Sequence, residues 1–277
     1  MHSPYFVSPF VVGQVPMKKY DLAIFDLDGT LYRGGEPIPH ALEAVQELRL
    51  RGTSIVYLTN NSSQTRRFFR DKLRGMGFQA EDEEIYSSAT GSAAHLQQIG
   101  KKSVFAVGMP GLIQTMLDGD IEVVNRGADG HALKSGVKAD AVVAGICLEF
   151  TYDLMAGAMS QIHDGAVFIA TNADATFPVE GGKLTPGAGS IISAIQTCSG
   201  ATPFVVGKPN RFLIDQILSE KKTSAAAALC VGDRLDTDIA AGKNAGCDTF
   251  LVLTGVETVA PSGQWFAKDL SGLLRSD

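Results

Sequence analysis

Four short segments carry side chains suited to chemistry. The first is Asp26-Leu27-Asp28-Gly29-Thr30, which closes the apolar run 20–26. If that run is a strand, period-two alternation turns both aspartates to one side, with Cα atoms about 6.6 Å apart. Open α/β sheets bind ligands at that carboxyl end. An isolated Asp-Gly is ordinarily a turn, which explains Asp28 but not a charge at position 26. A second apolar run ends Thr59-Asn60-Asn61-Ser62. Hydroxyl and amide donors there, beside free helix N–H groups, suit an anion; plain N-capping is the alternative.

Lys208-Pro209 follows a third apolar run and opens a helical pattern. The helix dipole disfavours a cation there by about 0.3–1 kcal/mol. A phosphate shared by lysine and helix removes the misfit, and a solvated lysine is the alternative. The fourth segment is Gly232-Asp233-Arg234-Leu235-Asp236-Thr237-Asp238. Asp233 lies just beyond an apolar strand, while Asp236 and Asp238 fall at a helix start, Asp236 as a dipole partner. If the four strands are neighbours, three or more carboxylates converge. Each pair then repels by roughly 2–3 kcal/mol at 6–7 Å and an effective dielectric of 20. A hard divalent cation offsets that cost, and an all-oxygen set without His or Cys suggests Mg²⁺.

The elements that must position these residues alternate along the chain. Apolar strands are expected at 20–26, 54–60, 84–88, 103–108, 140–146, 166–172, 204–208, 228–233 and 249–255. Helical patterns fall at 39–52, about 64–75, about 90–99 and up to about 245. Strands so uniformly apolar are covered on both faces, which predicts an α/β fold with a Rossmann-like parallel sheet. Two chemical segments precede residue 62 and two follow 207, yet 100–202 has its own strand–helix alternation. The economical arrangement is a core built from 17–99 and 203–277, with 100–202 inserted as an α/β cap domain. Residues 1–16, with three prolines and no Lys or Arg, read as a loosely attached extension rather than a secretory signal.

The chain has 277 residues, 45% hydrophobic and 19% charged, with a net charge of −6. This balance argues against a general nucleic-acid or anionic-membrane binder, but one phosphate site needs only a local positive field. No apolar run approaches the roughly 18 residues that span a bilayer, which predicts a soluble chain. Cys147, Cys198, Cys230 and Cys247 have no metal-ligand or redox spacing and read as reduced core residues of a cytoplasmic protein. The five histidines form no metal or triad spacing. Gly187-Ala188-Gly189-Ser190 mimics part of a dinucleotide loop but lacks its third glycine.

In order, the segments DLDGT (26–30), TNN (59–61), GKP (207–209) and GDRLDTDI (232–239) resemble the four motifs of the haloacid dehalogenase-like hydrolases. The long insertion resembles the class with a large α/β cap. TNADATFP (171–178) with PGAGS (186–190) is similar to the NagD-like branch, which includes p-nitrophenyl, phosphoglycolate and pyridoxal phosphatases. The likeness runs from about residue 20 to 255. It implies that Asp26 attacks phosphorus and forms an aspartyl phosphate, and that Asp28 protonates the leaving oxygen and then deprotonates the hydrolytic water. It implies Mg²⁺ held by Asp26, the Asp28 carbonyl and Asp233, with Asp238 behind or through water. Thr59, the Asn60–Asn61 turn and Lys208 would neutralise the phosphoryl oxygens. The flap at 31–36 and the cap would exclude water, and the chain would pair as a homodimer through the cap.

The second aspartate separates this chain from the dehalogenases, which have no leaving oxygen to protonate. Phe177 stands where pyridoxal phosphatases carry histidine, which argues against pyridoxal phosphate, and Cys147 stands where many relatives carry aspartate. The expected activity is Mg²⁺-dependent hydrolysis of a small phosphorylated metabolite such as phosphoglycolate, p-nitrophenyl phosphate, a sugar phosphate or a nucleoside monophosphate. A phosphotransferase, a mutase or a catalytically silent ligand-binding protein would keep the same motifs. A signalling receiver domain places its phosphorylated aspartate on the third strand, and this chain is about twice the length such a domain needs.

Overall fold

The computed structural model describes residues 18–125, 138–178 and 184–274. The extension expected at 1–16 lies outside them. Six parallel strands form the first sheet: β1 (Leu22–Phe25), β4 (Ser54–Thr59), β5 (Ile85–Ser87), β13 (Ala228–Gly232), β14 (Asp248–Val252) and β15 (Trp265–Ala267). Their order is β15-β14-β13-β1-β4-β5, so three strands that end in expected site residues lie side by side. Leu22 and Ile24 pack on one face of β1, Ala23 and Phe25 on the other. Helices therefore cover both faces. On one side lie α1 (Ala41–Leu50) and α2 (Arg66–Gly75), through Ala44, Val45, Phe69 and Leu73. On the other lie α3 (Ser88–Gln98) and α7 (Phe212–Glu220), through Ala89, Leu96, Leu213 and Ile217. The sequence sets their starts. Thr65 accepts the Phe68 N–H at the head of α2, and Ser87 and Thr90 form a reciprocal capping box at α3.

A second parallel sheet has the order β12-β9-β8-β6-β7. It comprises β6 (Ser103–Val107), β7 (Glu122–Val123), β8 (Ala141–Ala144), β9 (Val167–Ala170) and β12 (Phe204–Val205). Helices α4 (Pro110–Asp118), α5 (Tyr152–His163) and α6 (Ala188–Ser199) flank it. Two antiparallel hairpins complete the plan, β2 (Tyr32–Arg33) with β3 (Glu36–Pro37) and β10 (Thr176–Pro178) with β11 (Leu184–Pro186). Apolar packing runs without a break from β1 and β4 through α3 to β6, β8 and β9. Cys147, Cys230 and Cys247 are buried. No helix among the described residues is long and apolar enough to cross a membrane.

The strand expected at 204–208 differs from its expectation. Only Phe204–Val205 is extended, and it pairs with Ile169–Ala170 of β9 in the second sheet, not with the three site strands. The next two backbone N–H groups, of Val206 and Gly207, donate to Ala170 and Thr171 at 2.9 and 2.8 Å. That hydrogen bonding holds the segment against β9 until Lys208.

Candidate active site

Asp26, Thr59 and Asp233 stand at the carboxyl ends of β1, β4 and β13, three adjacent parallel strands, which is where loops leave an open sheet. Asp238 joins them from a widened helical turn, Leu235–Ile239, that precedes α8 (Ala240–Ala245). Ligand-capable atoms of Asp26, Asp233 and Asp238 all lie within 4.8 Å of one another. Lys208 reaches this cluster from the end of β12. Its buried ammonium donates to Asp26 Oδ1 at 2.6 Å, to Asp238 Oδ1 at 2.7 Å and to the Leu58 carbonyl at 3.4 Å.

Two carboxylates, rather than the helix N-terminus, thus compensate Lys208. The first turn of α7 begins only at Phe212, after Arg211. The misfit that pointed to an anion shared with the helix therefore does not arise.

The carboxylates are held by directed bonds. Asp233 Oδ2 accepts the Val256 N–H at 2.7 Å, and Asp238 Oδ2 accepts the Arg234 N–H at 3.1 Å. The Thr30 hydroxyl lies 3.4 Å from Asp26 Oδ2 and 3.3 Å from Asp233 Oδ1. A Cβ on Gly29 or Gly255 would come 2.7 or 1.9 Å from Asp233 Oδ2, so Asp233 occupies space that only glycine leaves. Gly29 also has φ +86°, a backbone region that L side chains rarely adopt. Thr30 and Gly255 are site residues that the four sequence segments do not single out. A hydroxyl four residues after Asp26 was the available signal for the first; nothing local marked the second.

Electrostatics reflect one ammonium among three carboxylates. Burial pushes Asp26 well above the usual carboxylate range against the pull of Lys208, and Asp238 and Asp233 push the same way. Burial and Asp238 push Asp233 up to about 6, with the Val256 N–H and Lys208 opposing. Burial alone would depress Lys208, but Asp238 and Asp26 outweigh it and hold the ammonium above its ordinary value. An all-oxygen donor set with uncompensated negative charge fits a hard divalent cation.

Asp28 is exposed beside this cluster. Burial of its carboxyl nonetheless raises its pKa, and the charges of Lys72 and Arg33 hold it back. Both cations belong to the mouth of the site. Lys72 sits 3.9 Å from the Tyr32 ring centroid of the β2–β3 hairpin, and Arg33 donates to the Thr254 carbonyl. On the other side, Thr59 Oγ1 accepts the Asn61 N–H at 3.1 Å. Asn61 Oδ1 accepts the Ser63 N–H and hydroxyl at 2.8 and 2.7 Å. Asn60 turns its amide to Lys208: its Nδ2 donates to the Lys208 carbonyl and to Asp174 Oδ2, and its Oδ1 accepts the Lys208 N–H. Asp236 is exposed and paired with Arg234, apart from the cluster.

Comparisons with known proteins identify the family. A family model described as haloacid dehalogenase-like hydrolase matches residues 23–122, and a second, HAD-hydrolase-like model matches 205–271. The 5'-nucleotidase YutF of Bacillus subtilis is 38% identical over 241 residues, covering 87% of this chain and 90% of that one. The solved structure of NagD from E. coli K-12 has a TM-score of 0.78 at 30% identity and covers 90% of this chain and 96% of its own. A glycerol phosphate phosphatase from Mycobacterium tuberculosis, solved in complex with magnesium, has a TM-score of 0.79 at 32% identity, covering 92% and 76%. With sequence, fold and strand-end carboxylates in agreement, the chain belongs to the haloacid dehalogenase-like hydrolases, in their NagD-like branch, and is a phosphatase.

Proposed function

We propose that this phosphatase hydrolyses small phosphomonoesters with a divalent cation, Mg²⁺ by preference, through an aspartyl phosphate on Asp26. The observation that carries the reading is the convergence of Asp26, Asp233 and Asp238 around the single ammonium of Lys208. Asp26, the Asp28 carbonyl and Asp233 would hold the cation, with Asp238 beside them. When bound, it would offset the repulsion among the carboxylates and the phosphoryl oxygens.

The chain's own groups carry the steps. A carboxylate oxygen of Asp26 bonds to phosphorus as the ester P–O bond breaks, and the leaving oxygen takes the electron pair and a proton from Asp28. Asp28 then accepts a proton from water as the water oxygen bonds to phosphorus. The P–O bond to Asp26 breaks, which restores the carboxylate and releases inorganic phosphate. Burial, which raises Asp28, favours the protonated form needed for the first transfer. Lys208, the Thr59 hydroxyl and the turn at Asn61 would neutralise the transferring oxygens.

In this reading residues 17–99 and 203–277 form the core, and 100–202 form a cap that covers the leaving group together with the β2–β3 hairpin. Pairing of two chains through the cap would appear as a doubled mass in light scattering. Nucleoside monophosphates and glycerol phosphate, suggested by the names of two relatives, join phosphoglycolate, sugar phosphates and p-nitrophenyl phosphate as the first substrates to test. The test is a phosphate-release screen over such a panel with Mg²⁺ and with EDTA. Cation-dependent release of free phosphate is expected. Release indifferent to the chelator, or phosphoryl transfer to an added acceptor in place of free phosphate, would contradict it.

A further inference from the structure

Lys208 acts at the carboxyl end of β1, inside the first sheet, but is delivered by the segment that follows β12, the edge strand of the second. Something must fix its main chain relative to Asp26, and the side chain of Asn60 is placed to do so. Asn60 Oδ1 accepts the Lys208 N–H at 2.8 Å, and Asn60 Nδ2 donates to the Lys208 carbonyl at 2.9 Å. One amide thus grips both backbone groups of one residue, across 148 positions of sequence.

The second Nδ2 hydrogen goes to Asp174 Oδ2 at 3.0 Å. A primary amide carries two hydrogens, so the Asn60 side chain has no donor left for a phosphoryl oxygen. The carboxylate also settles which way the amide points. With the amide reversed, its oxygen would face Asp174 and its NH₂ the Lys208 N–H, two repulsive contacts in place of attractive ones.

Asp174 is itself anchored. Asn172 Nδ2 donates to the same Oδ2 at 2.5 Å, and the Thr171 hydroxyl donates to Asn172 Oδ1 at 2.9 Å. The Gly189 N–H donates to the Asp174 carbonyl at 2.9 Å. A Cβ on Gly187 would lie 2.2 Å from that carbonyl oxygen and one on Gly189 2.4 Å from the Ala173 carbonyl oxygen, so close backbone packing accounts for both glycines. On the lysine side, a Cβ on Gly207 would lie 2.6 Å from Asn60 Oδ1.

We propose that Asn60 and Asp174 are positioning residues: Asp174 orients the Asn60 amide, which sets the Lys208 main chain and so places its ammonium against Asp26. This rests on the phosphatase reading above and gives the Asn60 side chain a task other than contact with phosphate.

Steady-state kinetics of the full chain test it, with Asp26→Asn as the control for the underlying reading. Loss of turnover in that control with the wild type active keeps the reading; activity in the control overturns the reading, not the relay. Asn60→Ala is expected to lower kcat about 10-fold or more with KM little changed, the loss typical of a displaced catalytic group. Asp174→Ala should lower kcat in the same sense. Asp174→Asn should restore it, because an amide oxygen can still accept both Nδ2 donors. In a Lys208→Arg background, Asn60→Ala should cost less than it does alone, because both changes act on one interaction. A raised KM and weaker inhibition by inorganic phosphate with kcat unchanged would overturn the proposal, as would losses that simply multiply. Should Asn60→Ala not fold, the Asp174 pair decides: equal loss in Asp174→Ala and Asp174→Asn contradicts the relay. A crystal structure of Asn60→Ala or Asp174→Ala reads the same question without turnover. A displaced Lys208 supports the proposal, and an unmoved one overturns it.

Discussion

Lys208 Nζ lies 2.6 Å from Asp26 Oδ1, although 182 residues separate them and their strands belong to different sheets. The contact joins the expected nucleophile to the one ammonium in the cluster. It also makes the site a junction, since the β9–β12 edge must hold its position relative to β1 for the pair to form. Asp238, 2.7 Å from the same ammonium, completes a cation held between two carboxylates.

Lys208→Met should therefore destabilise the fold as well as remove activity. Breaking a buried ion pair from one side typically costs about 3–5 kcal/mol, because the remaining charge stays buried. The loss should be largest in EDTA and partly recovered with millimolar Mg²⁺, which offers the carboxylates another cation. Urea unfolding with and without Mg²⁺ checks this. Equal losses in both conditions would show that no cation reaches these carboxylates.

Gly255→Ala should act on cation binding. The added Cβ would fall 1.9 Å from Asp233 Oδ2, so the carboxylate must leave its present position. The Mg²⁺ concentration for half-maximal activity is expected to rise about 10-fold or more, as when a partner that orients a metal ligand is lost. Circular dichroism should stay native. An unchanged Mg²⁺ requirement would mean that Asp233 does not hold the ion.

The second sheet offers a pH test remote from the site. Asp140 Oδ2 accepts the Lys102 and Ser103 N–H groups at 2.9 and 3.1 Å, and these bonds hold its carboxyl below the ordinary range. A depressed folded-state pKa gives stability that is present above the unfolded value and lost as pH falls through the folded one. Asp140→Ala should cost about 1 kcal/mol at pH 7, a value reduced for solvent exposure. Melting curves of the two proteins should converge as the pH falls below the ordinary carboxylate value. A gap independent of pH would assign the effect to packing.

Much of this was legible because strand ends are legible. Asp26, Thr59 and Asp233 each close a uniformly apolar run, and burial on both faces of β1, β4 and β13 makes such runs stand out. Parallel pairing joins segments far apart in sequence, so nothing local showed that Phe204–Val205 would join β9. For the same reason the sequence sets Lys208 beside a helix start, its neighbour along the chain, whereas Asp26 and Asp238 are its neighbours in space. The strand Trp265–Ala267 escaped notice because it is three residues long and only partly buried. Residue type marks the Asn60 side chain as a donor suited to an anion, and its three hydrogen-bond partners are supplied by Lys208 and Asp174. Side-chain type gave the chemistry available, and the tertiary fold decided how each side chain spends its hydrogen bonds.

In the proposed reaction phosphorus bonds to Asp26. The direct measurement is acid quenching during turnover of a ³²P-labelled phosphomonoester with Mg²⁺, followed by borohydride reduction and peptide mapping. A labelled acyl phosphate is expected in the wild type, with reduction at Asp26, and neither label nor turnover in a folded Asp26→Asn variant. Label on another residue, or Asp26→Asn activity within 10-fold of wild type, where loss of the nucleophile should remove many orders of magnitude, would contradict it.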